Sequence, residues 1–338
     1  MLNTTIYPWV AIVSLLFTYV ILLLLRKKQL FDLPNARSSH TVPVPRGGGV
    51  SFAVLYLILL GWLAWSGRVV LYEALVLMIS GAALALVGFI DDRIGLSFKI
   101  RLFIQITCMV LSLSILYYFP LINGSVLIWF SVAGMALAAV WWINLFNFLD
   151  GIDGYACSEA VLICMAAAGL CRYASDNYYP ELFLLLAAVV LGFAVLNWSP
   201  AKLFMGDVGS YFLGAMIALL AVLTVRDQLI SPLTWVVLTS LFWVDASMTL
   251  LRRILNGARW SQAHRSHAYQ ILSRRWHSHQ QVSLLAIVVN TFWLIPLSFS
   301  TQWLANSHQY GLAVLMIIIA SLPIVSGVYW LKSGVDNG

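Results

Sequence analysis

Four polar side chains close an apolar run near the middle of the chain, in the stretch Trp141–Gly154 (WWINLFNFLDGIDG). Asn144, Asn147, Asp150 and Asp153 follow one another at intervals of three residues, which keeps them near one face wherever a helix continues. Carboxylates close to a membrane are rare and are usually paired or functional. An apolar helix that ends in amides and carboxylates therefore predicts a site at the edge of the apolar region.

Two further stretches carry carboxylates next to predicted helix ends. Asp91 and Asp92 are adjacent in VGFIDDR, where they could share a metal ion or divide the roles of base and ligand, or could cap a helix. Asp207 lies in NWSPAKLFMGDVGS, immediately before an apolar helix. It either caps that helix or holds Mg²⁺, which binds through one or two carboxylates together with substrate phosphates.

Two basic stretches contain candidate phosphate-binding residues. Arg265 and His267 in SQAHRSHAYQ suit phosphate oxygens, although a basic loop beside anionic lipid would have the same composition. His40 and Arg46 lie in PNARSSHTVPVPRGGGV, whose prolines and consecutive glycines indicate an ordered or hinged loop. This loop fits no P-loop pattern.

The composition places these residues in a membrane protein. Of the 338 residues, 62% are hydrophobic and only 9% are charged, against roughly 25% charged in soluble domains. Mean hydropathy is +0.91. Basic loops of a lipid-embedded chain explain the net charge of +6, so we expect no nucleic-acid partner. The cysteines have no metal or redox spacing and are interpreted as apolar fillers: Cys108, Cys157, Cys164 and Cys171.

Eleven apolar segments predict transmembrane helices, each of which needs about 20 residues. They cover 7–25, 50–66, 69–90, 100–119, 126–149, 158–171, 180–196, 209–226, 232–251, 281–298 and 311–331. The shortest is 158–171. The expected fold is an all-α polytopic integral membrane protein, with one membrane-embedded domain over residues 1–338 and lipid as its surroundings.

The distribution of Lys and Arg predicts the orientation. Of the nineteen, sixteen lie after odd-numbered segments or in the C-terminal tail, and the exceptions are Arg68, Arg172 and Arg226. The positive-inside rule therefore places the odd-numbered loops in the cytoplasm and the N-terminus outside. These loops are 26–49, 91–99, 150–157, 197–208 and 252–280. Six aspartates fall on or near the same face: Asp91, Asp92, Asp150, Asp153, Asp207 and Asp245.

In order and spacing, these motifs resemble those of the polyprenyl-phosphate N-acetylhexosamine-1-phosphate transferases, glycosyltransferase family 4, and in particular the branch that starts O-antigen chains. The resemblance runs from Pro34 to Gln270, with FMGDVGS as its most specific element and NLFNFLDGIDG next. It implies transfer of a sugar 1-phosphate from a UDP-sugar to a polyprenyl phosphate such as undecaprenyl phosphate. It also implies Mg²⁺ or Mn²⁺, a bacterial inner-membrane location with a cytoplasmic site, and a homodimer as one option.

The resemblance assigns roles to individual residues. Asp91, Asp92 and Asp150 match catalytic positions, and Asp207 matches the magnesium ligand. The expected substrate-binding residues are Arg101, Asn147, Asp153, Asn197, Phe204, Arg265 and His267, together with His40 and Arg46 of the glycine-rich loop. Of these, Asp153 would hydrogen-bond the uracil and Phe204 would stack on it.

The sequence departs from the family pattern at the end of the histidine motif. Many members have His-x-His-His where this chain has His267, Ala268, Tyr269 and Gln270. The two missing imidazoles argue against a muramoyl-pentapeptide donor. They favour an N-acetylated 6-deoxyhexose donor, with UDP-GlcNAc as a second option, and predict that Tyr269 and Gln270 help to select the sugar.

Two other functional classes fit part of the pattern. An ion-coupled transporter would place ionisable residues near the middle of the membrane, often in inverted repeats, whereas these carboxylates lie at helix ends and the sequence shows no repeat. A CDP-alcohol phosphatidyltransferase shares a DG-rich signature. That signature continues into Ala-Arg and two further spaced aspartates, which DGIDGYACSEA does not contain.

Overall fold

The computed structural model describes residues 2–34, 42–117, 126–174, 177–257 and 264–335. Two short strands, β1 (Phe31–Asp32) and β2 (Val44–Pro45), pair antiparallel, and the other regular elements described are helical. In chain order the helices are α1 (Ile6–Lys27), α2 (Val50–Trp65), α3 (Leu71–Ile94), α4 (Phe98–Leu116), α5 (Val126–Leu149), α6 (Tyr155–Ala174), α7 (Tyr179–Asn197), α8 (Asp207–Arg226), α9 (Pro232–Leu238), α10 (Ser240–Leu255), α11 (Ala268–Trp276), α12 (His279–Val289), α13 (Ile295–Asn306) and α14 (Tyr310–Trp330). One turn of π-helix, Asn290–Leu294, joins α12 to α13.

The expected all-α membrane architecture is confirmed. In the described part of the chain, nine helices are long and apolar enough to cross a bilayer. This number counts α12 and α13 as one helix, and it rises to ten if the bent pair α9–α10 is counted as one span. Helix α2 has 16 residues, which is about 24 Å and shorter than a typical span. Helices thus lie at all eleven predicted positions. The short prediction 158–171 corresponds to the 20-residue helix α6.

The prediction of one continuous helix over 232–251 is wrong, because the chain bends by 76° between α9 and α10. Hydroxyl side chains at the break provide the physical reason. Thr239 donates a hydrogen bond to the Trp235 carbonyl at 2.7 Å, and Ser240 donates to the Val236 carbonyl at 2.9 Å. Side-chain bonds of this kind compete with the helix backbone and bend helices.

Helix α8 lies at the centre of the bundle, with α3 and α5 packed along it. The end of α3 meets the start of α8 at Gly88, where an added Cβ would lie 2.3 Å from the carbonyl oxygen of Asp207. Only a residue without a side chain permits this approach. Both contacts are antiparallel, so the C-terminal ends of α3 and α5 arrive at the N-terminal end of α8.

The other end of α8 is held by a separate network of charged residues. Arg226 pairs with Glu73 of α3 and with its neighbour Asp227. Arg226 is one of the three basic residues that the sequence predicts outside the cytoplasm, and these acidic partners neutralise its charge. The backbone N–H of Leu2 donates to Glu181 at the start of α7, also on this side. The two ends of the bundle therefore carry chemically distinct networks.

The predicted orientation can be tested with two exposed asparagines. Asn3→Cys should react with a membrane-impermeant maleimide in intact spheroplasts, whereas Asn256→Cys should react only after permeabilisation, because Asn256 follows the ninth predicted segment. Unsubstituted protein measures the background from Cys108, which is partly buried, and from the three buried cysteines. Labelling of both variants from the same side would contradict the odd number of spans.

Candidate active site

A carboxylate from one helix caps the start of another at the centre of the site. Asp207 is the first residue of α8, and Asp92 lies in the last turn of α3. The Asp92 carboxylate accepts hydrogen bonds from the backbone N–H of Asp207 at 2.9 Å and of Val208 at 3.1 Å. Such N–H groups have no partner within their own helix, and the helix N-terminus favours negative charge. Asp92 therefore caps a helix, but the helix that it caps is α8 and not α3, to which it belongs.

Arg46 lies between these two carboxylates. Its Nε is 2.8 Å from Asp92 Oδ1, and its Nη2 is 3.1 Å from Asp207 Oδ1. Burial lowers the pKa of Arg46, but Asp207 and Asp92 act in the opposite direction and leave it raised. The guanidinium thus stays charged and compensates two carboxylates at once.

Backbone pairing between two loops brings Arg46 to this place. The Phe204 N–H donates to the Pro45 carbonyl and the Gly48 N–H donates to the Phe204 carbonyl, both at 2.9 Å. Arg46 and Phe204 therefore form a parallel bridge, and the Arg46 N–H donates to the Leu30 carbonyl at 3.1 Å. The glycine-rich loop before α2 is in this way fixed to the loop before α8.

Asn147 joins α5 to the same cluster. Its side-chain amide donates to Asp207 Oδ1 at 2.7 Å and to the Ser210 hydroxyl at 3.2 Å. Ser210 was not among the predicted site residues. Its position three residues after Asp207 on a helix is the signal that would have identified it.

Asp150, directly after α5, is the third carboxylate of the cluster. Its charged neighbours are Arg46, Asp207, Asp92 and Asp153. Burial and the three carboxylates raise its pKa well above the usual range, while Arg46 acts in the opposite direction. The structure records no hydrogen bond between its carboxylate and any other described residue. Unlike Asp92 and Asp207, Asp150 keeps its oxygens available for a ligand or a proton.

Asp91 belongs to a neighbouring network rather than to the cluster itself. It accepts hydrogen bonds from Arg101 at 3.0 Å, the Tyr211 hydroxyl at 2.8 Å and the Leu96 N–H at 2.7 Å. Tyr211 was missed, although its place four residues after Asp207 was again a usable signal. All three contacts of Asp91 are to groups within the protein, and they leave Arg101, which is 28% exposed, at the edge of the site.

Asp153, the expected uracil contact, is engaged within the protein. Its Oδ1 is 3.2 Å from His279 Nδ1, and its Oδ2 accepts the Ala201 N–H at 3.1 Å. Burial raises the pKa of Asp153, but hydrogen bonding and charge from His279 lower it below the usual value. Ala201 and the partly exposed Phe204 lie on one loop, so Asp153 holds the loop that presents Phe204. No spacing in the sequence pointed to His279.

Asn197 also connects loops. It is 3% exposed, its side-chain oxygen accepts the Gly154 N–H at 3.1 Å, and its amide donates to the Leu203 carbonyl at 3.0 Å. These contacts place Asn197 between the loop after α5 and the loop before α8. Of the predicted substrate-binding residues, His40 lies outside the described part of the chain.

The histidine motif begins helix α11, which is capped from a distance. Asp245 of α10 accepts the backbone N–H of Ala268 at 2.9 Å and of Tyr269 at 3.3 Å. His267 is 4% exposed with its Nδ1 3.8 Å from Asp245 Oδ1, whereas Arg265 is exposed. The sequence placed Asp245 on the same face as the other aspartates but gave it no role. The structure shows that it holds the start of α11, which carries the histidine motif.

Tyr269 and Gln270 contact the loop that carries Asp150. The Tyr269 hydroxyl donates to the Phe148 carbonyl at 2.9 Å. A Cβ at Gly151 would lie 2.2 Å from that hydroxyl oxygen and 2.9 Å from Gln270 Nε2. Tyr269 is only 3% exposed. This placement favours support of the Asp150 loop over the direct contact with a sugar that the sequence suggested.

The oxygen donors of the cluster suit a hard divalent cation. Mg²⁺ usually takes one or two carboxylates and completes its shell with water and phosphate oxygens. In the described residues, no group of three or more His, Cys, Asp or Glu side chains is already arranged around one metal position. The Arg46 guanidinium instead serves as the cation between Asp92 and Asp207. The donor set therefore fits a metal held by few protein ligands.

An apolar cavity of about 420 Å³ lies along the two helices α5 and α8. Its walls come from α5, α8 and the bent pair, and they include Trp142, Leu145, Ile217, Trp235 and Val236. Helices α5 and α8 also supply the amide and carboxylate of the cluster. The same two helices thus connect an apolar groove to a charged site.

Comparisons with known proteins find a matching family model and several named relatives. A family model described as glycosyl transferase family 4 matches residues 74–225. The decaprenyl-phosphate N-acetylglucosaminephosphotransferase of Mycobacterium tuberculosis is 30% identical over 287 residues, which cover 75% of this chain and 71% of the relative. The probable undecaprenyl-phosphate N-acetylglucosaminyl 1-phosphate transferase of Bacillus subtilis is 28% identical over 306 residues, 86% of this chain and 84% of the relative. The undecaprenyl-phosphate alpha-N-acetylglucosaminyl 1-phosphate transferase of Yersinia pestis is 28% identical over 293 residues, 82% and 78% respectively.

The matched region contains the carboxylates of the site. Residues 74–225 run from the first turn of α3 almost to the end of α8, and they contain all three carboxylates of the cluster. With relatives at this identity and coverage, the chain belongs to glycosyl transferase family 4.

Proposed function

We propose that this protein transfers an N-acetylated sugar 1-phosphate from a UDP-sugar to a polyprenyl phosphate, with release of UMP. The observation that carries the proposal is the pairing of Asp92 and Asp207 with Arg46 at one end of the bundle, with Asp150 close enough to interact electrostatically with all three. An apolar groove runs along the same helices α5 and α8. The named relatives act on undecaprenyl or decaprenyl phosphate and N-acetylglucosamine. Because these names contain N-acetylglucosamine, UDP-GlcNAc is the first donor to test. The departure at Tyr269 and Gln270 makes a UDP-linked N-acetylated 6-deoxyhexose the second.

The acceptor lipid fits the groove along α5 and α8. A polyprenyl chain is apolar and dissolves in the bilayer, and Trp142, Leu145 and Ile217 offer it an apolar wall. Leu145 is the groove residue of α5 nearest in sequence to Asn147, so a chain that lies along α5 would bring its phosphate towards the cluster end of the helix. We take undecaprenyl phosphate as the acceptor.

In the proposed reaction an oxygen of the acceptor phosphate attacks the sugar-bearing phosphorus of the donor. The bond from that phosphorus to the bridging oxygen breaks, and UMP leaves with the bridging oxygen. Arg46 and Arg101 supply positive charge, which is most effective where water is excluded. When bound by Asp207, Mg²⁺ would offset the charge of the diphosphate, and Mn²⁺ could substitute.

Asp150 is the best candidate for direct participation among the carboxylates. A phosphate monoester has a second pKa near 6 and is mostly ionised at neutral pH, so a strong base is not required. The raised pKa of Asp150 still allows it to accept the remaining proton, and its uncommitted oxygens allow it to contact the cation or the acceptor. Asp91 and Asp92 would act by positioning, since their oxygens are already bound within the protein.

The donor nucleoside would lie near the loop that Asp153 and Phe204 share. An aromatic ring on this loop can stack on uracil, and Asp153 would reach the base only by exchanging one of its present contacts, to His279 or to Ala201. Arg265 is exposed, and we assign it a contact with the phosphates or the sugar.

The site fits an enzyme better than a transporter. The broken helix at α9–α10 is a feature that transporters also use. The carboxylates, however, gather at one end of the bundle and not near its middle. We therefore place the protein in the bacterial inner membrane, with this end in the cytoplasm, where a UDP-sugar is available. The product would start an O-antigen or another cell-envelope polysaccharide.

The proposal is tested by UMP release from the purified protein in detergent with undecaprenyl phosphate, UDP-GlcNAc and Mg²⁺. Asp207→Asn keeps the shape of the side chain but removes the charge, and it should lower kcat by on the order of 100-fold or more. Asp227→Asn, at the opposite end of the same helix, is the matched control and should retain activity. Near-normal turnover of the Asp207 variant at low Mg²⁺ would make Asp207 a structural residue only.

Asp150→Asn should lose activity and yet gain stability at alkaline pH. Because the pKa of Asp150 is raised by folding, its ionised form destabilises the fold once the pH exceeds the ordinary carboxyl pKa, and this penalty is complete above the raised pKa. The neutral amide removes the penalty. Thermal unfolding, followed by fluorescence of the 14 tryptophans, should show a higher Tm for the variant at about pH 8, and the difference should shrink towards about pH 5. A variant less stable than the parent at both values would refute the assignment.

Tyr269→Phe tests whether the histidine motif supports the Asp150 loop or selects the sugar. Loss of the bond to the Phe148 carbonyl, worth about 1 kcal/mol, should lower kcat/KM by roughly ten-fold or less for UDP-GlcNAc and for a UDP-N-acetyl-6-deoxyhexose alike. The ratio between the two donors is the decisive measurement. A change in that ratio would restore the selectivity role expected from the sequence.

A further inference from the structure

We propose that Arg46 is a built-in counter-ion that occupies the cation position of the site, and that a divalent ion displaces its guanidinium, which then becomes available to an anionic ligand. The inference rests on the proposed function, because it takes the carboxylates around Arg46 to hold a divalent ion during turnover. It concerns a stage before either substrate binds, and it can therefore be tested without them.

The carboxylates keep their positions without Arg46. Asp92 also accepts two backbone hydrogen bonds from the start of α8, and Asp207 Oδ1 also accepts the side-chain amide of Asn147. Departure of the guanidinium would thus remove one partner from each carboxylate and leave the others in place. The oxygen set is pre-organised by the fold and not by the arginine.

The Arg46 side chain can move although its backbone cannot. The backbone is fixed on both sides, by the hydrogen bond to Leu30 and by the bridge to Phe204. The side chain is 36% exposed, whereas those of Asp92 and Asp207 are 5% and 16% exposed. Rotation towards the open side therefore needs no rearrangement of the loop.

A guanidinium and a divalent ion would compete for the same oxygen atoms. Both cations would bind to Asp207 Oδ1 and to the oxygen atoms near it. Two positive charges at such short range repel each other most strongly where water is scarce. A released guanidinium would find a diphosphate attractive, because its planar fork matches phosphate oxygens. Cation binding and anion binding would then favour each other.

The test measures Mn²⁺ binding by electron paramagnetic resonance in detergent, with no donor, acceptor or turnover. If Arg46 competes with the ion, Arg46→Gln should bind Mn²⁺ more tightly than the parent, by on the order of ten-fold. Arg93→Gln is the matched control. Arg93 neighbours Asp92 in the chain but is exposed and lies over the Phe89 ring at 4.7 Å, so its loss should leave the Mn²⁺ Kd unchanged.

A second variant separates competition from a change in folding. In Arg46→Ala, low millimolar guanidinium chloride should weaken Mn²⁺ binding again by refilling the vacated position, and it should have little effect on the parent. Unchanged or weaker Mn²⁺ binding by Arg46→Gln, with the parent binding normally, would overturn the inference and leave the proposed function intact. Failure of the parent and of every variant to bind Mn²⁺ would overturn the metal site as well.

Discussion

Three carboxylates placed together at the edge of a membrane are the constraint on which the rest of the site depends. Asp92, Asp150 and Asp207 repel one another, and burial makes their charges more costly. The fold offsets part of this cost with the N-terminus of α8, which donates two N–H groups to Asp92, and with the guanidinium of Arg46. Compensation is incomplete at Asp150, whose pKa stays raised. The residue least stabilised by the fold is the one left free to act.

This constraint also explains the loops around the cluster. Arg46 can lie between two carboxylates only if the loop before α2 is fastened to the loop before α8, which the pairing at Phe204 achieves. Asn197 and Asp153 then join that second loop to the segment after α5. Several polar residues that resemble substrate ligands in the sequence thus hold loops together. A loop that brings a charged side chain to the cluster must itself be rigid, since otherwise the side chain would not stay in place.

The sequence predicted the helices well and their interactions only in part. Apolar length alone located all eleven segments, since a bilayer imposes nearly the same length on each. Spacing and charge parity also brought Asp92, Asn147, Asp150 and Asp207 to one face. The break at Thr239 was missed because hydroxyl groups bend a helix through local bonds that hydropathy does not record. The cap that Asp245 provides to α11, and the pairing of His279 with Asp153, join residues far apart in the chain, so no local pattern could reveal them.

The arrangement of α5 and α8 ties the chemistry to the membrane boundary. Each helix is apolar where it lines the groove, and each contributes a polar side chain to the cluster from one of its ends. An apolar acceptor can approach along the groove without leaving the lipid, and a charged donor can approach from water without entering it. A site in the middle of the bundle would require the charged donor to leave water, which costs free energy. A site far out in a loop would require the apolar acceptor to leave the lipid. The carboxylates therefore lie at helix ends because only there do the two solvents meet, and the antiparallel packing of α3 and α5 on α8 brings three such ends to one place.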